Sequence, residues 1–170
     1  MTQFTEAIAT FTLATGQSTD HYNVKQIGLY TGLQLEELAE KLTAFGLTYI
    51  ADQLDALSSD FKQGKLASQI AQADRAEVLD ADLDLAWVSV GAAHSTGANV
   101  SGAMAEIARS NLAKLVSCDP CGGVGSIDGQ IDTPFCPTCR GAGKVALKDE
   151  NGKVKKPAGW TAPNLMPHII

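Results

Sequence analysis

Apolar positions recur at helical spacing through the first two thirds of the chain. Phe4, Ile8 and Phe11 step by four and three, and predict a first amphipathic helix that ends near Gly16. Residues 17–23 are polar and read as a loop. Leu35, Leu38, Leu42 and Phe45 form one stripe of a second helix, over about 24–45, stopped by Gly46. Ile50, Leu54, Leu57 and Phe61 mark a third, ending near Gly64. A long fourth helix is predicted over about 67–94 and a fifth over about 101–116, with Met104, Ile107, Ala108 and Leu115 on one side. Short connections between such helices favour an antiparallel helical bundle, so the expected fold class is all-α.

Two of these helices carry acids where a solvated face does not fully account for them. Glu36, Glu37 and Glu40 fall within about 100° of one another at 100° per residue. A polar face opposite the leucine stripe would explain them, yet Leu29 and Leu33 project from the same side. On the fourth helix Glu77, Asp80 and Asp84 lie within about 60°, and Trp87 and Val88 continue their stripe. The rest of that helix, with Leu79, Leu83, Leu85, Ala86, Val88 and Val90, is apolar almost all round and is expected at the centre of the bundle. Carboxylates held together there would repel and lose hydration unless protons or a cation compensated them. Oxygen-only ligands select a hard ion such as Mg²⁺ or Mn²⁺.

These residues also carry a family resemblance. Glu36-Glu37-Leu38-Ala39-Glu40 resembles the EExxE motif of the MazG-like, all-α nucleoside triphosphate pyrophosphohydrolases. Asp80-Ala81-Asp82-Leu83-Asp84-Leu85-Ala86-Trp87-Val88, with Gly91-Ala92-Ala93, is similar to their second acidic helix. Residues 106–114, EIARSNLAK, resemble the R-S-N-x-x-K helix of phage and bacterial members close to the phosphoribosyl-ATP pyrophosphohydrolase-like group, and residues 148–165 are similar to their closing segment. The second motif of the family is ExxD, whereas Ala81 stands three before Asp84 here, so Asp80 or Glu77 takes the missing place.

The resemblance implies Mg²⁺- or Mn²⁺-dependent hydrolysis of nucleoside triphosphates, deoxynucleotides first, to monophosphate and pyrophosphate. It puts the metal on Glu37, Glu40, Asp80 and Asp84, and the catalytic carboxylates at Glu36, Glu37 and Glu40, with Glu36 activating the water. Asn111, Lys114 and Lys25 are the expected substrate contacts. Asn111 falls between Met104, Ile107 and Leu115 on the apolar side of its helix, where its amide requires partners. A nucleotide or a backbone carbonyl of the next helix could supply them. A helical hairpin with a polar cleft buries little, so a homodimer or homotetramer is expected.

Composition changes the picture after residue 117. All four Cys and all six Pro lie beyond it, and the net charge of −6 divides into −7 before it and +1 after. Cys118, Cys121, Cys136 and Cys139 make a CxxC-x14-CxxC framework that matches a tetrahedral Zn²⁺ site. With Gly123, Gly125, Gly141 and Gly143 it reads CxxCxGxG twice, resembling half of the zinc-binding region of DnaJ chaperones. Four thiolates leave no open position, so the zinc is expected to be structural; two disulfides are the alternative. The expected organisation is a helical catalytic domain over 1–117, a zinc-knuckle appendage over 118–146 and a tail over 147–170.

The acidic balance disfavours a phosphate backbone as partner. The longest apolar stretch, Leu83 to Ala93, is interrupted by Asp84 and Ser89 and falls short of the ~18 residues of a membrane span. Thr2, Gln3 and Glu6 lack the layout of a signal peptide, so the expectation is a soluble protein of the cytoplasm, the host's if phage-encoded. His94 lies too far along its helix from Asp84 to share a metal, His21 reads as a loop residue and His168 as part of the tail. The rival function is a non-enzymatic zinc-knuckle adaptor on a helical scaffold, binding protein or nucleic acid near Lys144, Lys148, Lys153, Lys155 and Lys156.

Overall fold

The computed structural model describes residues 2–127, 135–149 and 154–169. Among these residues are six α-helices, α1 Thr2–Ala14, α2 Val24–Ala44, α3 Thr48–Lys62, α4 Ala67–Gln72, α5 Arg75–His94 and α6 Val100–Leu112. They are followed by β1 Leu115–Ser117 and β2 Lys144–Ala146. The chain divides into two compact units, residues 21–84 and residues 1–20 with 85–170.

In the 21–84 unit, α2 and α3 form an antiparallel hairpin that closes on small residues. Gly28, Gly32 and Ala39 are the buried positions of α2, and Ala51 and Ser58 those of α3. A β-carbon on Gly32 would come within 2.6 Å of Lys62 Cγ and 2.9 Å of the Ser58 carbonyl oxygen. The backbones are thus close enough for the buried Ser58 hydroxyl to donate to the Gly32 carbonyl at 2.7 Å. The leucine stripe is divided: Leu35 and Leu42 share the glycine side of α2 and are half-buried, whereas Leu38 and Phe45 turn away from it and are exposed, as are Ile50 and Leu57 of α3. Asn23 caps α2 by accepting from Gln26 N, and Tyr22 Oη donates to Ile70 O, which fastens α4 to the start of the hairpin.

The long fourth helix is two helices. Asp74 Oδ1 accepts from Ala76 N (2.8 Å) and Glu77 N (3.3 Å), starting α5 afresh after Ala73 turns to extended backbone. An acid capping free N–H groups, with a glutamate three residues on, is an ordinary helix start. The expectation that this helix is central is also overturned. None of its residues is buried, and Leu79, Leu83, Leu85, Trp87 and Val88 are all exposed, Trp87 to 76%.

In the other unit α1 packs on α6 and on β2. The fifth predicted helix ends early: α6 stops at Leu112, and Leu115 and Val116 pair with Ala146 and Val145 in an antiparallel two-stranded ribbon. The C-terminal end of α1 is closed from the cysteine-bearing segment. Lys148 Nζ donates to Thr15 O at 2.6 Å and Arg140 Nη1 to Gln17 O at 3.4 Å, supplying cations where helix carbonyls lack partners. Residues 154–169 run along α6: Ser110 Oγ donates to Thr161 O, Asn164 N to Glu106 Oε1, and Asn99 N to His168 O.

Candidate metal centre

The four cysteines come together next to the ribbon, with Val145 of β2 packed against them, and all four are buried. Cys118 and Cys139 have no exposed surface, Cys136 2% and Cys121 8%. Cys118 Sγ lies 3.9 Å from Cys136 Sγ, and Cys121 Sγ 3.7 Å from Cys139 Sγ. All four sulfurs fall within 4.8 Å of one another. A tetrahedral Zn²⁺ with Zn–S bonds of about 2.3 Å requires sulfurs about 3.8 Å apart, and disulfide sulfurs would stand at about 2.05 Å, so the donor set fits zinc and not two disulfides.

The doubled CxxCxGxG pattern has a physical reason. Cys118 N donates to Gly143 O and Cys136 N to Gly125 O, so each knuckle begins by bonding to the last glycine of the other. Val124 N to Cys121 O and Ala142 N to Cys139 O repeat the same turn in both. The two backbones meet at the glycines. A β-carbon on Gly125, at φ +85°, would sit 2.5 Å from the Gly141 carbonyl oxygen, and one on Gly143 would meet the Gly123 carbonyl oxygen. Only residues without a side chain pass at that distance and with that φ.

Backbone amides also aim at sulfur. Burial pushes the Cys118 thiol up to about 12, with neighbouring cysteine thiols adding to the shift. Burial raises Cys139 as well. At Cys136 the N–H of Cys139, helped by that of Thr138, brings the thiol down to about 7. At Cys121 burial acts upward, but the N–H of Gly125, 3.4 Å from the sulfur, and that of Gly123 outweigh it. N–H groups pointed at sulfur favour thiolate, the form that binds metal.

The acidic residues do not gather in this way. Among the described residues the four cysteines are the one group of three or more His, Cys, Asp or Glu side chains close enough to hold an ion. Glu37, Glu40, Glu77, Asp80 and Asp84 are exposed. Glu36 is half-buried and accepts from Lys62 Nζ at 3.0 Å, an ion pair with α3. Gln34 Nε2 donates to Asp82 Oδ1 at 2.9 Å, linking α2 to the first half of α5 within their unit.

Of the expected substrate contacts, Lys25 is exposed on the first turn of α2. Asn111 is half-buried, and its amide oxygen accepts from Lys114 Nζ at 2.8 Å, a partner that neither earlier alternative named. His21 and His94 are exposed, and His168 is half-buried on α6, its ring where a β-carbon of Gly102 would stand. Trp160, with Phe135 one of the two aromatic residues after position 117, has contacts that sequence reasoning did not foresee. Its Nε1 donates to Ser110 O at 2.8 Å, and the ammonium groups of Lys114 and Lys156 lie 5.8 and 4.3 Å from the centre of its ring. Comparison with protein-family models, with curated proteins and with solved structures finds no match to this chain.

Proposed function

We propose that the chain is a zinc-organised binding protein, in which a structural Zn²⁺ on Cys118, Cys121, Cys136 and Cys139 stiffens a surface that receives a protein partner. The supporting observation is the closed, buried sulfur cage in a segment that also carries exposed apolar side chains, Val124, Ile127 and Phe135 among them. A centre with four protein thiolates has no position left for a reacting water. Exposed apolar groups held on a rigid frame are the ordinary material of a protein interface. The net charge of −6 favours protein over nucleic acid.

A second reading is kept for one specific observation, the Gln34–Asp82 bond that ties the two acid-bearing helices together. In it, a second copy covers the apolar surface of α5, forming a homodimer or homotetramer. This desolvates Glu37, Glu40, Asp80 and Asp84 sufficiently to take Mg²⁺ or Mn²⁺ and hydrolyse a nucleoside triphosphate, with Glu36 released from Lys62 to activate water. One experiment separates the readings. The purified protein is incubated with Mg²⁺ and a panel of ribo- and deoxynucleoside triphosphates, and pyrophosphate and zinc are both measured. Retained zinc, about one per chain, with no pyrophosphate supports the binding protein. Mg²⁺-dependent release that falls at least ~10²-fold in Asp84→Asn supports the hydrolase.

A further inference from the structure

The two knuckles follow one backbone path and differ at a position where that path favours glycine. In the doubled CxxCxGxG pattern, Gly122 at φ +58° corresponds to Arg140 at φ +51°, Gly123 to Gly141 and Gly125 to Gly143. Among the described residues Arg140 is the one residue other than glycine with a positive φ. An L side chain crowds its own backbone there, so glycine is the ordinary occupant. Outside crowding does not decide between the two residues, since a β-carbon on Gly122 would meet nothing within 4 Å. What sets Arg140 apart is the reach of its side chain: Nη1 donates to Gln17 O at 3.4 Å, just past the end of α1.

A second cation arrives from the same segment. Lys148, two residues after β2, donates from Nζ to Thr15 O at 2.6 Å. Among the described residues of 1–20 the buried ones are Thr12, Ala14, Thr15 and Ser18, so this stretch docks by its C-terminal end, where both cations meet it. Carbonyls at a helix C-terminus carry partial negative charge and attract cations. The base that holds the two cations is not a large apolar core. Its buried cluster is the four cysteines, with Ala142 and Val145 packed against them. So small a cluster closes when an ion joins the sulfurs. Arg140 N donates to Cys136 O at 2.7 Å inside the second knuckle, and Cys118 N donates to Gly143 O where the ribbon begins, so both cations are placed from the metal centre.

We propose that the four-cysteine centre is a metal-controlled clasp on α1: with zinc bound, Arg140 and Lys148 hold the C-terminal end of the helix in place, and loss of zinc frees it. The proposal rests on the zinc-organised reading and adds a regulation to it. Without the ion Arg140 relaxes from its positive φ and its guanidinium leaves Gln17 O. The end of α1 then undocks, and Ala14, with the half-buried Phe11 and Leu13, becomes accessible. Zinc availability is read out as the release of a helix, with no chemistry at the metal.

The test is hydrogen exchange of the full-length protein, read by mass spectrometry with zinc bound and after its removal by a chelator, with zinc content measured in every sample. Removal should speed exchange in peptides from the end of α1 about tenfold or more, while peptides from α3, in the other unit, change less than about twofold. The double variant Arg140→Gly with Lys148→Gln keeps all four sulfurs and places at 140 the residue that the first knuckle already carries at 122. It should retain about one zinc per chain and still exchange at the end of α1 about fivefold or more faster than the zinc-bound parent. Lys144→Gln, which removes a charge from the same ribbon, should change that exchange less than about twofold. A zinc-bound double variant as protected at α1 as the parent, or a parent equally protected with and without zinc, would overturn the clasp and leave the zinc-organised reading standing. So would an effect of Lys144→Gln as large as that of the double variant, or an equal rise in α3 on removal of zinc. Protein that takes up no zinc would overturn both.

Discussion

The cysteine centre and helix α5 are opposites in how they handle burial. The centre is built from short loops rich in glycine and proline, yet its four cysteines are between 0 and 8% exposed. Helix α5 has twenty residues with apolar groups on every side and buries none of them. A short segment can close a core when four ligands share one ion, because metal binding replaces the hydrophobic area that the segment lacks. A helix has no such device and must find apolar surface on another element or another chain. The difference separates a segment whose side chains close on one another from a helix whose apolar groups stand exposed.

The sharpest way to break the comparison is to remove one ligand. Cys139→Ser should release the zinc and unfold the knuckles. It should also loosen α1, whose end is closed by Arg140 and Lys148 from the same segment. Structural zinc sites contribute about 10–16 kcal/mol of apparent binding free energy, so the loss should exceed any other single change here and appear as a large drop in melting temperature with near-zero zinc by elemental analysis. The 21–84 unit should keep its helical signal.

Leu83→Gln combined with Trp87→Gln tests the other side. Both residues are more than 60% exposed and one turn apart on α5. If a second copy covers that face, light scattering should report a shift from oligomer to monomer, while the melt of the monomer changes by no more than about 0.5 kcal/mol, as for exposed positions. An unchanged mass would show that α5 is not the associating surface. A smaller effect is expected within the 21–84 unit. Gly32→Ala places a methyl 2.9 Å from the Ser58 carbonyl oxygen and should cost about 1–3 kcal/mol, read by denaturant melts, with zinc content unaffected.

The mildest effect is acid sensitivity of the closing segment. The side-chain bonds from Arg109, with the Asn164 N–H, hold Glu106 well below its usual range, at about 2 against 4.5. A carboxyl lowered on folding adds stability that is fully present above 4.5 and is lost as the pH falls toward about 2. In Glu106→Gln the contribution should be missing at neutral pH, and the part of the acid loss between those limits should shrink. Hydrogen exchange at Asn164 N over a pH series would read it directly.

What the sequence disclosed follows the range of the interactions involved. The stops of α1, α2 and α3 were legible because Gly16, Gly46 and Gly64 take φ near +75 to +81°, a choice made within one turn. The four-cysteine cluster was legible for the same reason, its spacing being the local chemistry of two knuckles. The Asp74 cap was equally local and was passed over because Ala67 to His94 kept a continuous apolar pattern. The close crossing of the hairpin was not legible for a different reason: side-chain size, not hydrophobicity, set it at Gly28 and Gly32. The acids of α2 and α5 could not be read as a cluster from spacing alone, since whether they gather depends on how faces of separate helices meet, and among the described residues they stay exposed or, for Glu36, paired with Lys62.

X-ray absorption at the zinc edge of protein purified without added metal tests the central claim most directly, because it reads the shell around the ion. Four sulfurs at about 2.3 Å, with about one zinc per chain, is the predicted result. Oxygen or nitrogen in the first shell, or a zinc-free protein whose cysteines are oxidised in pairs, would contradict a closed, structural Cys118–Cys121–Cys136–Cys139 centre.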